Sequence, residues 1–410
     1  MKKIIFWLFF VYFLLFPLGQ LIRIPPQSTE VSEVHFYLTD VAVATIVVFW
    51  FLGKWLSKSR FSFPPLTWPI FLFIACCFWS LFYNSFLLSD REVAIAGLYL
   101  IRWVVYAGIY FVVYDLIYNS KLKISNFKLQ IAKWLIISGT VSAILGLLQY
   151  IFIPDTRFLE KYGWDPHLYR LIGAFFDPGF LGLILVLTLI LLILEIWPSK
   201  KNPFWKTIIK DKKKVFLIVI SYVALALTYS RASYLSYLLS MAFISFFKKS
   251  PKFFLAVLFI FILTVFSLPR PEGEGVRLER ESTIKYRIMN WQQSIFIFSK
   301  NPIFGVGFNA YRFAQRRYGF LNEEIWLFTH AGAGADSSLL LILATTGLVG
   351  FSSYLWLIKK ILEIGDLKTI VSFLAILVHS TFVNSLLYPW IMAWMWILLG
   401  IGNSKEKRQL

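Results

Sequence analysis

Long apolar segments recur along the whole chain, and they constrain its fold more than any other feature. About 20 apolar residues cross the hydrocarbon core of a bilayer, so each segment is a predicted membrane span. The predicted spans lie near 5–23, 41–56, 68–86, 94–117, 134–153, 180–197, 215–229, 232–247, 253–268, 337–357, 369–385 and 387–401. With 58% hydrophobic and only 15% charged residues, the chain is predicted to be an all-α polytopic membrane protein of about 12 helices.

The spans predict a division of the chain into three regions. Residues 1–268 hold the first nine spans, residues 269–336 form the one long segment between spans, and residues 337–410 hold the last three spans and a tail. The beginning of the chain resembles a signal peptide but has no small-residue cleavage site, so we expect a retained first span. The adjacent Cys76 and Cys77 lie inside an apolar run, which predicts a packing role for them.

The charges between the spans alternate along the chain. One set of alternate segments holds 25 basic and 4 acidic residues, and the other set holds 15 basic and 16 acidic residues. The positive-inside rule therefore predicts that the first set, which includes both termini, is cytoplasmic. This distribution explains the net charge of +19 through membrane topology and argues against nucleic acid as a partner.

The two sets also differ in the kind of basic residue. The predicted inner set has 23 Lys and 2 Arg, and the predicted outer set has 3 Lys and 12 Arg. Arginine offers a planar fork of donors that matches phosphate and carboxylate groups. The outer arginines therefore indicate an anionic ligand, and the alternative is that they pair with the outer acidic residues.

The segment 216–247, FLIVISYVALALTYSRASYLSYLLSMAFISFF, carries one full charge, Arg231. We predict a hairpin of two short spans with Tyr229, Ser230 and Arg231 at a recessed outer tip. A charge within the membrane indicates a functional site, although an arginine that pairs with an outer acid is the alternative. Arg102, inside the span 94–117, either lines the same recess or pairs with a buried carbonyl. His379 is predicted to be a satisfied interior histidine.

Two outer segments contain further candidates. Residues 154–179 contain Arg170 and then Asp177-Pro178-Gly179, which is a typical helix start. An anion at that helix start would lie within reach of Arg170.

The segment 269–336 contains an amphipathic helix whose apolar stripe is predicted to lie on the membrane or on the bundle of spans. Its stripe consists of Ile284, Ile288, Trp291, Ile295 and Phe298. Arg287 lies beside this stripe. The later stretch THAGAGADSS contains His330 and Asp336, and either Asp336 or Ser337 is predicted to cap the next span.

Several motifs are missing from the sequence. There is no Walker loop, no H-E-x-x-H, no cysteine cluster and no outward Asp-x-Asp pair. The sequence therefore predicts chemistry without a metal or another cofactor, in which arginines bind the phosphate.

Four stretches resemble one family. YSRASYL, YRIMNWQQSIFIFSKNPIFGVGFNAY and DSSLLLILATTGLVG, in this order, resemble the O-antigen ligase and O-antigen polymerase superfamily, and RLIGAFFDPGFLG resembles its upstream element. The resemblance spans about 140–357. It implies a C-type glycosyltransferase fold in the inner membrane, with the active site facing the periplasm. It also implies metal-independent transfer of a glycan from a polyprenyl (undecaprenyl) pyrophosphate carrier to an acceptor hydroxyl. The acceptor is the lipid A core for ligases and another repeat unit for polymerases.

The resemblance also implies residue roles. Arg231 and Arg287 match family arginines, and Arg170 matches the arginine of the upstream element. These three, with Arg102 as a further candidate, are the predicted pyrophosphate-binding residues. Ligases carry a His-Asn pair where this chain has Asp336-Ser337, so either His330 or Asp336 is the predicted base. This departure favours the polymerase alternative relative to the ligase.

A second function class has to be weighed. A transporter or flippase for a lipid-linked glycan would also place arginines near phosphate, but it typically shows inverted repeats and broken helices. We find no internal repeat in the sequence, and the single long outer segment favours an enzyme. An assembly scaffold is a third alternative, and it would not need a recessed arginine.

Overall fold

The computed structural model describes residues 2–24, 34–118, 127–197, 211–271, 273–322 and 334–402. These residues form a bundle of α-helices with one small antiparallel pair of strands, β1 (Arg23–Ile24) and β2 (Phe36–Tyr37). The α-helices are α1 (Lys2–Leu15), α2 (Leu38–Leu56), α3 (Thr67–Asn84), α4 (Asp90–Tyr118), α5 (Phe127–Phe152), α6 (Pro178–Glu195), α7 (Lys212–Leu227), α8 (Arg231–Phe247), α9 (Pro251–Ser267), α10 (Ser282–Lys300), α11 (Tyr311–Arg317), α12 (Ser338–Ile364), α13 (Leu367–Ser380) and α14 (Pro389–Ile401). The predicted all-α class is confirmed.

Six helical elements of the described chain are long and apolar enough to cross a membrane. They are α2, α3 with the 3-10 turn that follows it, α4, α5, α6 and α12. The other predicted spans coincide with shorter helices, such as α13 (Leu367–Ser380) and α14 (Pro389–Ile401). The structure therefore supports a multi-pass membrane protein. The number of twelve spans and the three predicted regions of the chain stay predictions.

Two helices form the centre of the bundle. Nearly every residue of α6 is buried, and α14 buries Trp390, Trp394 and Trp396 completely. A helix that is apolar on all sides lies either in a protein core or in lipid, and neighbouring helices surround these two. Outer helices instead leave large apolar side chains such as Trp55 and Phe259 exposed, as expected of helices that face lipid.

The segment 216–247 forms two helices, as predicted. Helix α7 ends at Leu227 and α8 begins at Arg231. The Ser230 side chain caps α8 by accepting a hydrogen bond from the Ser233 amide at 3.4 Å. The rings of Tyr222 and Tyr237 lie 5.6 Å apart, and Tyr234 donates to the carbonyl oxygen of Ala226. The helices are therefore antiparallel at their tip, and each is only about 25 Å long.

Residues 154–177 lie across one end of the bundle. The Gln149 side chain accepts hydrogen bonds from the Ile172 and Gly173 amides at 2.9 and 3.0 Å. The Gln20 side chain donates to the Phe175 carbonyl oxygen at 2.8 Å. These bonds fix the segment beside the break between α7 and α8. We call this end of the bundle, which also carries α10, the loop end.

The turn between α10 and α11 explains the N-P-x-x-G-x-G stretch. Helix α12 is interrupted at Gly347, whose φ is +63°, so two carbonyl groups and two amides lose their partners within the helix. Val306 and Gly307 donate to the carbonyl oxygens of Ala344 and Thr345 at 3.1 and 3.0 Å. In return, the Leu348 and Val349 amides donate to the carbonyl oxygens of Pro302 and Ile303 at 2.8 and 3.2 Å. The turn thus completes the interrupted helix.

A helix, α10, forms where the amphipathic helix is predicted. It buries Ser294 and Ile297, whereas Ile284, Ile288 and Ile295 are 48%, 47% and 54% exposed. The other two stripe residues contact the protein: the Trp291 ring lies 6.2 Å from the Phe382 ring, and Phe298 packs against a buried cluster. The stripe is therefore divided between the bundle and an exposed face, and the choice between membrane and bundle stays a prediction.

Candidate active site

Arg170 reaches the break between α7 and α8. Its Nε donates to the carbonyl oxygen of Thr228 at 3.1 Å, and its Nη2 donates to that of Tyr229 at 3.4 Å. The side chain is buried. Burial, with the nearby Arg280, lowers the pKa of Arg170 to about 9. Arg170 is therefore fixed directly beside the residues that lead into Arg231.

Arg231 is the first residue of α8, and it joins the helix break to the segment before α10. Its Nη1 donates to the carbonyl oxygens of Leu278 and Arg280 at 3.2 and 3.0 Å. Its Nη2 is buried and has no hydrogen-bond partner among the residues that the structure describes. A buried donor without a partner is costly, and an anionic ligand would satisfy it.

Arg287, on α10, belongs to the same group of charges. Its guanidinium carbon lies 5.8 Å from the centroid of the Phe382 ring. Burial lowers the pKa of Arg287, and the guanidinium is attracted by Asp336 and Asp177 and repelled by Arg231. Asp177 also attracts Arg170. The structure thus brings Arg170, Arg231 and Arg287 together from three segments, and we call these three residues the arginine cluster.

Three carboxyl groups accompany the arginine cluster. The Asp177 carboxylate accepts hydrogen bonds from the Gly179 and Phe180 amides at 2.7 and 2.8 Å, so it caps α6 as predicted. Asp165 is exposed, and it lies within electrostatic reach of Asp177, Asp336 and Arg170. The site therefore alternates cations and carboxyl groups at close range.

Asp336 keeps its carboxyl group free of helix capping. The cap of α12 is Ser337, whose side chain accepts from the Leu340 amide at 3.4 Å, so the open choice between Asp336 and Ser337 is decided. The Asp336 amide donates to the Asn290 side chain at 2.7 Å. Burial raises the pKa of Asp336, Arg287 lowers it and Asp177 raises it. Asp336 is therefore placed beside the arginine cluster.

His330, the other predicted base, lies outside the described residues. Its predicted role stays a prediction.

Arg102 lies elsewhere. Its Nη2 donates to Asp40 at 2.9 Å and to the carbonyl oxygen of His35, and its guanidinium carbon lies 5.0 Å from the Tyr99 ring centroid. Asp40 also accepts from the Tyr106 hydroxyl at 2.8 Å. The sequence left open whether Arg102 lines the recess at the helix break or pairs with a buried carbonyl. The structure shows the carbonyl, that of His35, and in addition an ion pair with Asp40. The predicted pyrophosphate role of Arg102 stays a prediction that the proposal below does not use.

His379 is buried beneath the site. Its Nδ1 lies 2.6 Å from the Ser385 hydroxyl, and its Nε2 lies 3.2 Å from the Ser233 hydroxyl. Ser233 in turn donates to the capping hydroxyl of Ser230 at 2.9 Å. Both ring nitrogens therefore have partners, as predicted for an interior histidine.

The sequence reasoning missed Asp165, His167 and Arg280. Arg280 donates to the carbonyl oxygens of Gly275 and Arg277, at 2.8 Å in both cases. Burial and the neighbouring Arg170 and Arg280 lower the pKa of His167 to about 3. None of the three lies in a motif, and only their placement in the arginine-rich outer segments could have drawn attention to them.

The described ranges contain no group of three or more His, Cys, Asp or Glu residues that could hold a metal ion. The expectation of chemistry without a metal or another cofactor stays a prediction. The arrangement does suit anion binding, because three guanidinium groups lie close together and the Arg231 Nη2 has no partner in the described ranges.

Comparison with known families gives a match over part of the chain. A family model described as O-antigen ligase matches residues 216–355, which include most of α7, all of α8 to α11 and most of α12, with Arg231, Arg287, His330 and Asp336. No curated protein matches the chain. The matched family is a glycosyltransferase-like class of enzymes, and it implies a lipid-linked glycan donor and an acceptor. The match therefore supports an O-antigen ligase-type or related polymerase function in the broad sense. It confirms, over residues 216–355, the resemblance to the O-antigen ligase superfamily seen in the sequence.

Proposed function

We propose that the protein transfers a glycan from a polyprenyl-pyrophosphate carrier to an acceptor sugar hydroxyl, as an O-antigen ligase-type glycosyltransferase. One observation carries the proposal: three arginines from separate segments lie close together, because Asp177 attracts both Arg170 and Arg287, Arg231 repels Arg287, and Arg170 donates to Thr228 at the break between α7 and α8. The family match over residues 216–355 supports the same reaction class.

The arginine cluster binds the pyrophosphate of the donor. In the reaction the bond between the anomeric carbon and the pyrophosphate oxygen breaks, and the leaving group takes the electron pair. Arg231, whose Nη2 has a free donor within the described protein, binds an oxygen on which negative charge grows. Each charge-assisted hydrogen bond contributes about 1.5–3 kcal/mol, so two or three supply a large part of the required stabilisation.

Asp336 is the base. The acceptor oxygen forms a bond to the anomeric carbon in a direct displacement and gives its proton to the Asp336 carboxylate late in this step. A raised pKa makes a carboxylate a stronger base, and burial raises the pKa of Asp336. Arg287 keeps this carboxylate charged before the transfer. His330 is the alternative base.

We infer that the loop end faces outward from the cytoplasmic membrane, with both termini in the cytoplasm. Asp177 caps the start of α6 at the loop end. Lys214 and Lys368 lie 3.3 and 3.9 Å from Glu195 at the other end of the same helix. Lys214 and Lys368 therefore lie at the end of α6 opposite the arginine cluster, as the positive-inside rule requires of the cytoplasmic side.

The polymerase of the same superfamily is the second candidate, and Asp336-Ser337 in place of the ligase His-Asn pair favours it. The test uses purified protein, a polyprenyl-pyrophosphate glycan, an acceptor, and no nucleotide or metal. Transfer onto the acceptor by the wild type, lost in Arg231→Ala and kept in Arg157→Ala, supports the proposal. A ladder of repeats identifies a polymerase, and a single transfer identifies a ligase. Equal transfer by Arg231→Ala and Arg157→Ala, at matched protein level, overturns the proposal.

A further inference from the structure

Arg23 is a buried cation that the proposed chemistry leaves unused. Its side chain lies on β1, and the residue is 6% exposed. Its Nε and Nη1 are buried and have no hydrogen-bond partner within the described part of the chain. The guanidinium carbon lies 5.7 Å from the centroid of the Trp164 ring. Arg102, whose side chain is 11% exposed, is by contrast bound to Asp40.

Arg23 lies at the loop end, beside the arginine cluster but separate from it. Strand pairing places Arg23 opposite Tyr37, and the Tyr37 hydroxyl donates to Gln20 at 2.9 Å. The Trp164 ring packs 5.4 Å from the Phe176 ring, next in sequence to Asp177. The electrostatic neighbour of Arg23 is Tyr37, whereas those of Arg287 are Asp336, Arg231 and Asp177.

The position of Arg23 suits an oxyanion of the second substrate. A buried, desolvated cation with unpaired donors is costly unless a ligand completes it. Its planar fork fits a carboxylate or a phosphate group with two hydrogen bonds. The arginine cluster already serves the donor pyrophosphate, so the remaining anion is one on the acceptor. We propose, on the basis of the proposed function, that Arg23 binds a carboxylate or phosphate group of the acceptor glycan.

The experiment compares Arg23→Gln with wild type on three acceptor preparations from the cells that make the protein. The first is the native glycan, the second has its carboxylates chemically reduced to alcohols, and the third has its phosphates removed. Arg157→Gln is the matched control, because Arg157 lies in the same outer segment as Trp164 and is exposed and paired only with Asp155 in the described structure. The KM for the acceptor, the KM for the donor and the kcat are measured for each pair.

We expect Arg23→Gln to raise the acceptor KM by about tenfold or more and to leave the donor KM unchanged. With wild type, one of the two modified glycans should have an acceptor KM that is higher than that of the native glycan by the same factor. The group removed from that glycan, carboxylate or phosphate, is then the anion that Arg23 binds. For Arg23→Gln, the acceptor KM should be the same for that modified glycan as for the native glycan. The inference is overturned if the two effects simply add, if neither modification changes the wild-type KM, or if the donor KM changes instead.

The thermal unfolding midpoint without substrate separates binding from structure. Arg23 is a buried cation whose Nε and Nη1 have no partner among the described residues. Replacing it by a neutral side chain removes a desolvation cost, so Arg23→Gln should be at least as stable as wild type. A large loss of stability would mean that Arg23 is structural and would overturn the inference. If wild type transfers no glycan at all, the proposed function fails. Arg23 is then tested by the binding of the native and neutralised glycans alone, where equal binding overturns the inference.

Discussion

The Arg170 Nε donates a hydrogen bond to the carbonyl oxygen of Thr228 at 3.1 Å. Thr228 directly follows the last residue of α7, where carbonyl groups lack partners within the helix. Arg170 supplies a partner for one of those carbonyl groups. It also places its positive charge close to Arg231. The same side chain thus positions the helix break and contributes to the charge of the site.

Arg170→Lys should therefore lower both activity and stability. A lysine ammonium cannot reproduce the rigid fork that reaches Thr228 and Tyr229 together. We expect transfer to fall by about tenfold or more, because a charge-assisted hydrogen bond is lost, and the thermal midpoint to fall as well. Initial rates and thermal unfolding test this, with Arg157→Lys as the control. Unchanged values for Arg170→Lys would remove it from the site.

The pH dependence of transfer should follow the ionisation of the Asp336 carboxyl group. The ionised carboxylate is the reactive form, so kcat should fall as pH decreases through the raised pKa of Asp336. Arg287 stabilises the charged form, so Arg287→Gln should move this limb to higher pH. Asp336→Asn should abolish transfer.

The comparison variants for the base are His330→Ala and His330→Asn. The kcat is measured against pH at saturating donor. A profile that is unchanged in Asp336→Asn but lost in both His330 variants would identify His330 as the base instead.

Gly347 should be essential for folding. Its φ is +63°, and an added Cβ would lie 2.2 Å from the carbonyl oxygen of Ile303. Gly347→Ala should therefore combine backbone strain of about 1–2 kcal/mol with a clash against the turn that completes α12. Gly319→Ala is the control, because Gly319 has φ +72° and nothing within 4 Å of an added Cβ. We expect a much larger fall in thermal midpoint for Gly347→Ala, and equal falls would contradict the clash.

The Arg102–Asp40 pair should act on stability. Arg102→Leu leaves the buried Asp40 carboxylate without its cation, at a cost of about 3–5 kcal/mol. The double variant Arg102→Leu with Asp40→Leu should recover a large part of this loss. Thermal unfolding of the two single variants and the double variant tests the coupling. Additive losses, with weaker donor binding in Arg102→Leu, would instead support the predicted pyrophosphate role.

Local patterns in the sequence were sufficient for part of this site. Arg231 between two apolar runs predicted the helix break, and Asp177-Pro178 predicted the start of α6. Both features depend on residues that are near each other in the chain. The pairing of Arg102 with Asp40 joins residues 62 positions apart, and Trp164 meets Arg23 only in the folded protein. Such contacts depend on how helices pack, which hydrophobic periodicity does not specify.

The most direct test of the arginine cluster is the Kd of the purified protein for undecaprenyl pyrophosphate without a glycan. We expect Arg170→Ala, Arg231→Ala and Arg287→Ala each to raise this Kd by about tenfold or more, Arg231→Lys to recover little, and Arg157→Ala to leave it unchanged. An unchanged Kd in all three cluster variants would contradict a shared pyrophosphate site.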